Sequence, residues 1–196
     1  MICGIDEAGR GPLAGPVCAA AVILTPNHNM IGEFPVEILD DSKKLSAAKR
    51  DRARSLICSL SFAWGIGWAS PSEIDEINIL QGSLLAMKRA FLYITSQSAV
   101  FPAMSEPIEA VADGLYAPDI PVPCKTLVRA DSQIPEVMAA SILAKTARDR
   151  LMDYYSIFYP EYGYEKHRGY PTVSHRAAIA RYGPSPIQRL TFRVSR

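Results

Sequence analysis

The sequence has little of what builds zinc centres or disulfide frameworks. It contains only three histidines and four cysteines, and no two cysteines form a CxxC pair. The cysteines lie mostly in apolar stretches, at Cys3, Cys18, Cys58 and Cys124. This distribution is typical of reduced thiols in the core of a cytoplasmic protein, and it argues against disulfides and zinc ligands.

Long apolar runs and an N-terminal targeting pattern are also missing. No run approaches the roughly 20 residues that a transmembrane helix needs. Residues 1–6 turn acidic without a preceding basic segment, so a signal peptide is not expected. Hydrophobic residues make up 48% of the 196 residues, as in an ordinary globular domain. We therefore expect a single cytoplasmic domain that does not associate with membranes.

An overall excess of charge is absent as well, since the net charge is +1. The charges are nevertheless unevenly distributed. From Lys125 onward there are 12 basic and 6 acidic residues, whereas the preceding part has 9 basic and 14 acidic residues. This polarity is compatible with an acidic metal centre beside a basic phosphate-binding flank. A chance imbalance between two solvated faces would give the same counts.

Segments with strand character are followed by, and then alternate with, segments of helical character. Strands are expected at residues 1–6, 17–24, 62–69, 108–112 and 122–128. Helices are expected at about 46–60, 70–96, 135–155 and 174–182. Ser46 predicts the first helix start because its hydroxyl can accept from an unpaired amide, and a break is expected near Asn78. This order predicts an α/β domain with a mixed sheet.

Acidic residues follow three of the predicted strands. Asp6 and Glu7 follow the first strand, Asp113 follows another, and Asp131 lies near the end of a third. Functional groups gather at strand ends in open α/β sheets, and clustered carboxylates suit Mg²⁺ or Mn²⁺. Two such ions about 4 Å apart can cleave a phosphodiester. Taken singly, each aspartate could instead cap a turn or a helix.

The adjacent acids Asp6 and Glu7 present a stereochemical difficulty. Neighbouring side chains on a strand point to opposite faces, so both cannot reach one metal ion from regular strand geometry. Either the strand ends at Asp6, or Glu7 acts through its backbone carbonyl or through water. We therefore rank Asp6, Asp113 and Asp131 above Glu7 as direct side-chain ligands.

Six longer motifs identify a relationship. In order, they are GIDEAGRGPLAGPV, DSKKLS, EIDEINILQGSLLAMKRA, VADG, IPEVMAASILAKTARDR and YGYEKHRGYPT. Together they resemble the ribonuclease HII family along nearly the whole chain. The resemblance implies a ribonuclease H-like mixed sheet flanked by helices, with a C-terminal helical substrate-binding extension at about 156–196. The sister ribonuclease HIII type carries an extra N-terminal domain, and because a strand is predicted from residue 2 no such domain is expected here.

The resemblance also implies which residues act. It places a metal site for Mg²⁺ or Mn²⁺ on Asp6, Glu7, Asp113 and Asp131. Gly9, Arg10 and Gly11 resemble the family's GRG loop, which contacts the ribonucleotide 2′-hydroxyl largely through backbone, with Arg10 adding a phosphate contact. Glycines let the main chain approach a sugar closely, and the 2′-hydroxyl distinguishes RNA from DNA. Without the neighbouring acids, a glycine-rich hairpin would be the simpler interpretation.

Further substrate contacts are implied by the remaining motifs. Tyr170 matches the family tyrosine that stacks on the deoxyribose beyond the RNA–DNA junction, although a lone tyrosine is more often a packing residue. Lys43, Lys44 and Lys145 resemble positions that face substrate phosphate, and phosphate contacts position a substrate without reading its bases. Ser141, Lys145 and Arg148 share one helix face. For Arg148, a solvated position is the alternative.

The chain departs from the family pattern at a few positions. Arg129-Ala130-Asp131 stands where Lys-Gly-Asp is usual, which gives the loop before the last acid less freedom. Pro171 replaces a common glycine, and Tyr182 and Gln188 replace common histidines.

These observations predict a metal-dependent endoribonuclease of the ribonuclease H type. We expect it to hydrolyse the RNA strand of RNA/DNA hybrids and to incise duplex DNA on the 5′ side of embedded ribonucleotides, as a monomer. A resolvase or exonuclease of the same superfamily is a rival interpretation, but it should lack the GRG loop and Tyr170. A non-catalytic nucleic-acid-binding module would tolerate loss of the four acids, which are all present.

Overall fold

The computed structural model describes residues 1–25, 39, 46–96 and 107–193. A mixed five-stranded sheet forms its centre, in the order β3-β2-β1-β4-β5. The strands are β1 (Ile2–Ala8), β2 (Val17–Leu24), β3 (Ser61–Ala69), β4 (Glu109–Asp113) and β5 (Cys124–Leu127). Strands β1, β2 and β3 pair antiparallel, whereas β4 pairs parallel with β1 and with β5. The predicted mixed sheet is confirmed.

Five helices accompany the sheet in the described part of the chain. They are α1 (Ala47–Leu60), α2 (Pro71–Ser96), α3 (Pro135–Phe158), α4 (Tyr164–His167) and α5 (Val173–Tyr182). The Ser46 hydroxyl accepts from the Lys49 amide at 3.3 Å and begins α1, as predicted. The predicted break in α2 lies at Asn78, where φ is 69° and ψ is 168°.

The two faces of the sheet bury two separate apolar layers. Alternate residues of β2 point to opposite faces, so Ala19 and Ala21 pack with α2 while Ala20 and Val22 pack with α1 and α3. Helix α3 lies very close to β1. A Cβ atom on Gly4 would come within 2.1 Å of the Glu136 carbonyl carbon. This close approach brings the side chains of α3 beside the end of β1.

The last part of the described chain packs against the end of α3 and the loop that follows β1. This third apolar cluster consists of Ala14, Met152, Tyr162, Tyr164, Ala178 and Ile187. Backbone hydrogen bonds connect the same segments, from the Leu13 amide to the Gly169 carbonyl and from the Arg189 amide to the Leu13 carbonyl. The loop of residues 9–16 is therefore enclosed by chain that lies far from it in sequence.

Cys3 and Cys18 are buried and Cys58 and Cys124 are partly buried, and all four are free thiols. Burial raises the pKa of Cys3 to about 12, so this thiol stays protonated. Across residues 1–25, 46–96 and 107–193, no helix is both long and apolar enough to cross a membrane.

Candidate active site

The first acids lie within β1 and not beyond it. The strand continues to Ala8, with Asp6 opposite Ala20 and Glu7 opposite Ala19 on β2. The alternative in which the strand ends at Asp6 is therefore wrong. On its other side, β1 pairs with β4 only as far as Ile5. Beyond Ile5 the pairing between β1 and β4 stops, and a cavity lies beside Asp6 and Glu7.

This cavity brings together most of the residues that the sequence singled out. Its volume is about 220 Å³. It is lined by Asp6, Glu7, Ala8, Gly9, Asp113, Ser141, Lys145 and Tyr170. Strands β1 and β4, helix α3 and the segment before α5 each supply part of the wall. Acidic, hydroxyl, cationic and aromatic side chains thus meet at one place.

Burial and mutual repulsion dominate the electrostatics of the acids. Asp6 is 5% exposed. Its burial raises the pKa of its carboxyl well above the ordinary value, and the nearby charges of Glu7 and Asp113 raise it further. Hydrogen bonds from the Ser141 hydroxyl and from the Glu7 amide, the latter at 2.7 Å, act in the opposite direction. The anionic form of Asp6 is therefore costly unless a cation is nearby.

Glu7 has a cationic neighbour of its own. Burial raises the pKa of its carboxyl, while the Arg10 guanidinium, which donates to Oε1 at 3.3 Å, opposes the shift. The Arg10 side chain is 51% exposed, so it can turn toward a bound anion. Arg10 therefore contacts an acid that lines the cavity while its own side chain remains exposed to solvent.

Asp113 and Asp131 are linked through the backbone. The Ala130 amide donates to Asp113 Oδ1 at 2.7 Å, and Ala130 opens the 3-10 turn Ala130–Ser132 that contains Asp131. Asp131 is partly buried and lies outside the residues that line the cavity. The left-handed backbone conformation falls on Arg129, with φ 60° and ψ 36°. The alanine at position 130 is therefore accommodated, because it is not the residue with positive φ.

The donor chemistry of the cavity fits a hard divalent cation. Asp6, Glu7 and Asp113 offer carboxylate oxygens to one space, and a cation would relieve the repulsion between them. Over the ranges that the structure describes, no three side chains of Asp, Glu, His or Cys converge into a compact ligand group. The acids thus surround the cavity rather than closing on a single point.

The GRG loop and Tyr170 form one rim of the cavity. Gly9 has a φ of +99° and a Cβ atom there would lie 2.0 Å from Arg148 Nε, so both conformation and space require glycine. A Cβ atom on Gly11 would lie 3.6 Å from Tyr170 Cε1. Tyr170 is 43% exposed, and its carbonyl is hydrogen-bonded to His175 Nδ1 at 3.0 Å. The partly exposed ring of Tyr170 therefore lies next to the glycine backbone of the GRG loop.

The other predicted phosphate contacts have different outcomes. Lys145 lines the cavity, where its Nζ is paired with Asp149 Oδ1 at 2.6 Å. Ser141 also lines it and is 6% exposed. Lys43 and Lys44 lie outside the described residues.

Two arginines near the site are buried, which the sequence did not predict: Arg148 was named with a solvated position as the alternative, and Arg189 was not singled out. Arg148 is 1% exposed and Arg189 is 0% exposed, so a solvated Arg148 is ruled out. Arg148 donates to the carbonyls of Ala14, Pro16 and Arg168 at 3.0–3.1 Å. Burial, with a smaller contribution from Arg148, lowers the pKa of Arg189 to about 9. No local sequence pattern distinguishes these arginines from exposed ones.

Comparison with known proteins agrees with this architecture. The family model described as Ribonuclease HII matches residues 3–195. A ribonuclease HII from Treponema denticola is 54% identical over 201 residues, which cover 99% of this chain and 98% of the relative.

Solved structures share the fold. The crystal structure of the ribonuclease H2 from Pyrococcus horikoshii OT3 superposes with a TM-score of 0.73 at 23% identity, covering 98% of this chain and 94% of the other. The Bst-RNase HIII structure in complex with Mn²⁺ gives a TM-score of 0.73 at 19% identity, covering 97% and 66% of the two chains. With a family match over nearly its full length and this fold, the chain belongs to the ribonuclease HII family and is an enzyme of the ribonuclease H type.

Proposed function

We propose that this enzyme hydrolyses the RNA strand of RNA/DNA hybrids and incises duplex DNA on the 5′ side of embedded ribonucleotides. The observation that carries the proposal is the cavity that Asp6, Glu7 and Asp113 line together with Gly9 of the GRG loop and Tyr170. It combines acids suited to phosphodiester hydrolysis with backbone suited to a sugar. The products should be a 3′-hydroxyl and a 5′-phosphate.

We assign cation binding to Asp6, Glu7, Asp113 and Asp131. Bound divalent cations, Mg²⁺ or Mn²⁺, would supply an activated water and stabilise the departing 3′ oxygen. The Mn²⁺ in the Bst-RNase HIII complex is consistent with this chemistry in a protein of the same fold. Glu7 is oriented by Arg10, and Asp113 is oriented by the Ala130 amide. Asp131, beyond the cavity lining, would contribute through the turn that Ala130 begins.

Substrate selection is assigned to the rim of the cavity. The backbone of Gly9, Arg10 and Gly11 would contact the ribonucleotide 2′-hydroxyl, a group that DNA lacks. Tyr170 would stack on the deoxyribose beyond the RNA–DNA junction. Its exposed ring and its proximity to Gly11 support this role.

The remaining contacts would be with phosphate. Lys145 and Ser141 line the cavity and offer an ammonium and a hydroxyl, while Arg10 offers an exposed guanidinium. Lys43 and Lys44 are assigned the same role from their motif alone. We assign residues 156–196 to a substrate-binding extension of a single domain, since Tyr170 belongs to that segment. The free thiols are consistent with a reducing compartment such as the cytoplasm, where we propose that the protein acts as a monomer.

The test uses duplex DNA with a single ribonucleotide, incubated with Mg²⁺, with Mn²⁺ or with a chelator. Cleavage should require the cation. Asp113→Asn removes one ligand charge while keeping the side-chain size, so activity should fall by orders of magnitude in a folded protein. Asp119→Asn is the matched control, because that side chain is 93% exposed and pairs with Lys88 at 2.6 Å. Near-normal turnover by Asp113→Asn would contradict the proposed site.

A further inference from the structure

The loop that begins with the GRG residues is fastened by a guanidinium from the far end of the chain. Arg189 donates from Nη2 to the Gly9 carbonyl at 2.6 Å, from Nη1 to the Arg10 carbonyl at 3.0 Å and from Nε to the Gly15 carbonyl at 2.9 Å. The side chain is completely buried. Three carbonyl groups of one short loop therefore converge on a single planar group with fixed donor directions.

Peptide geometry extends the effect of these contacts to the opposite side of the loop. Each peptide unit is planar and trans, so its N–H points opposite to its C=O. Because Arg189 fixes the carbonyls of Gly9 and Arg10, it also fixes the N–H groups of Arg10 and Gly11. These N–H groups point away from the buried guanidinium. They belong to the stretch of backbone assigned above to the ribonucleotide.

Glycine gives the backbone of the GRG loop wide conformational freedom, so the loop needs hydrogen bonds from other residues to hold one conformation. Gly9 has a φ of +99°, and glycine loses more conformational freedom on ordering than any other residue. A loop that must present N–H groups in one orientation therefore needs bonds from outside itself. Arg189 supplies them at the two peptide units concerned, and Arg148 supplies bonds at Ala14 and Pro16.

Arg189 is itself anchored by an acidic residue near the start of α2. The Asp75 carboxylate accepts from the Leu190 amide at 2.8 Å, from the Thr191 amide at 2.9 Å and from the Thr191 hydroxyl at 2.6 Å. These bonds hold the two residues that follow Arg189. A partly exposed residue of a different element thus fixes the backbone from which the guanidinium extends.

We propose that Arg189 is a positioning residue that sets the discrimination between ribonucleotide and deoxyribonucleotide by orienting the Arg10 and Gly11 N–H groups, with Asp75 as its anchor. The inference rests on the proposed function, because it assigns the N–H groups a ribonucleotide to recognise. Arg189 does not touch the substrate. Its effect reaches the substrate only through the loop.

The experiment measures discrimination in the Mg²⁺-loaded enzyme. The KM for duplex DNA with one ribonucleotide is compared with the inhibition constant of an all-DNA duplex of the same sequence. Arg189→Lys keeps a positive charge, but its three donors lie on one nitrogen and cannot span the three carbonyls that Nε, Nη1 and Nη2 of Arg189 reach. The ratio of inhibition constant to KM should therefore fall about tenfold, the order expected for loss of a charged hydrogen bond. The change should lie in KM, with the inhibition constant unaltered. A merely destabilised variant would instead lower kcat by losing active molecules and leave the ratio unchanged.

Two further variants complete the test. Asp75→Ala should lower the same ratio about threefold from a partly exposed position, and it decides the matter if Arg189→Lys does not fold. Arg52→Lys, the same change at an exposed arginine of α1, should leave the ratio unchanged. Equal ratios in wild type and both test variants would overturn the positioning role. Equal KM and inhibition constant in the wild type would instead contradict the proposed function of the GRG loop.

Discussion

Replacing Gly9 by alanine tests how tightly the GRG loop is packed against Arg148. The new side chain meets two separate obstacles. A non-glycine residue with a φ of +99° carries strain of about 1–3 kcal/mol. Its Cβ would also lie 2.0 Å from Arg148 Nε, so the guanidinium must move. That movement breaks the 3.0 Å bond from Nε to the Pro16 carbonyl, and a hydrogen bond from a charged group contributes about 1.5–3 kcal/mol.

Gly9→Ala should therefore destabilise the protein by about 2.5–6 kcal/mol, the sum of strain and lost bond. Gly114→Ala is the matched control for stability. Gly114 has a similar φ of +109°, but nothing lies within 4 Å of its Cβ position. Only the strain of about 1–3 kcal/mol applies there.

Urea unfolding of the two variants measures the difference, provided that the denaturant slope is unchanged. The free energy of unfolding should be lower for Gly9→Ala than for Gly114→Ala by the ~1.5–3 kcal/mol that the Arg148 hydrogen bond contributes. Equal losses of unfolding free energy in the two variants would mean that the Arg148 side chain can move without loss of stability. Arg148 would then provide no rigid support to the loop.

Three further predictions concern charge, stacking and chemistry. Burial and neighbouring acids raise the pKa of Asp6, so its carboxyl binds a proton more tightly in the folded than in the unfolded protein. Its contribution to folding stability is therefore most favourable in acid and is lost as the pH rises through the folded pKa. In chelator, Asp6→Asn should thus be more stable than wild type at neutral pH, and urea midpoints should show the advantage vanish below about pH 4, the ordinary Asp pKa; a pH-independent difference would refute this. Tyr170→Ala should lose stacking of about 1–3 kcal/mol. KM should rise more on single-ribonucleotide DNA than on long hybrids, because several registers can bind on a long hybrid. The control Tyr154→Ala, at a ring that is 55% exposed, should change neither KM, and equal losses on both substrates would exclude junction recognition. Mass spectrometry should find 3′-hydroxyl and 5′-phosphate ends with the ribonucleotide leading the downstream fragment, since the nucleophile is water; a 2′,3′-cyclic phosphate would overturn that mechanism.

Local signals accounted for most of the element boundaries. Ser46 as an N-cap and Asn78 as a break act within a few residues of themselves, so the sequence alone locates them. The end of β1 was misjudged, because its continuation to Ala8 depends on pairing with β2. Pairing of that kind is a property of two strands and is invisible in either one.

The candidate site shows the same division. Asp6 and Asp113 could be found because acids at strand ends have a recognisable context and lie in extended motifs. The burial of Arg148 and Arg189 could not be predicted, because arginine is almost never fully buried unless paired. Here the partners of Arg148 and Arg189 are mostly backbone carbonyls more than 130 residues away. Such contacts leave no periodicity or spacing in the sequence.

The contacts of Arg189 also set an order of events during synthesis. Gly9 and Arg189 are separated by 180 residues, which a ribosome adds in roughly 10 to 35 s at about 5–20 residues per second. Throughout that interval the nascent chain already carries Asp6 and Glu7, but it lacks the group that fastens the adjacent loop. A growing chain would thus acquire Asp6 and Glu7 well before the adjacent loop can become ordered. Ribosome-bound fragments ending before Arg189 are expected to be unable to discriminate ribonucleotides, so this capacity would arise only after Arg189 has been added.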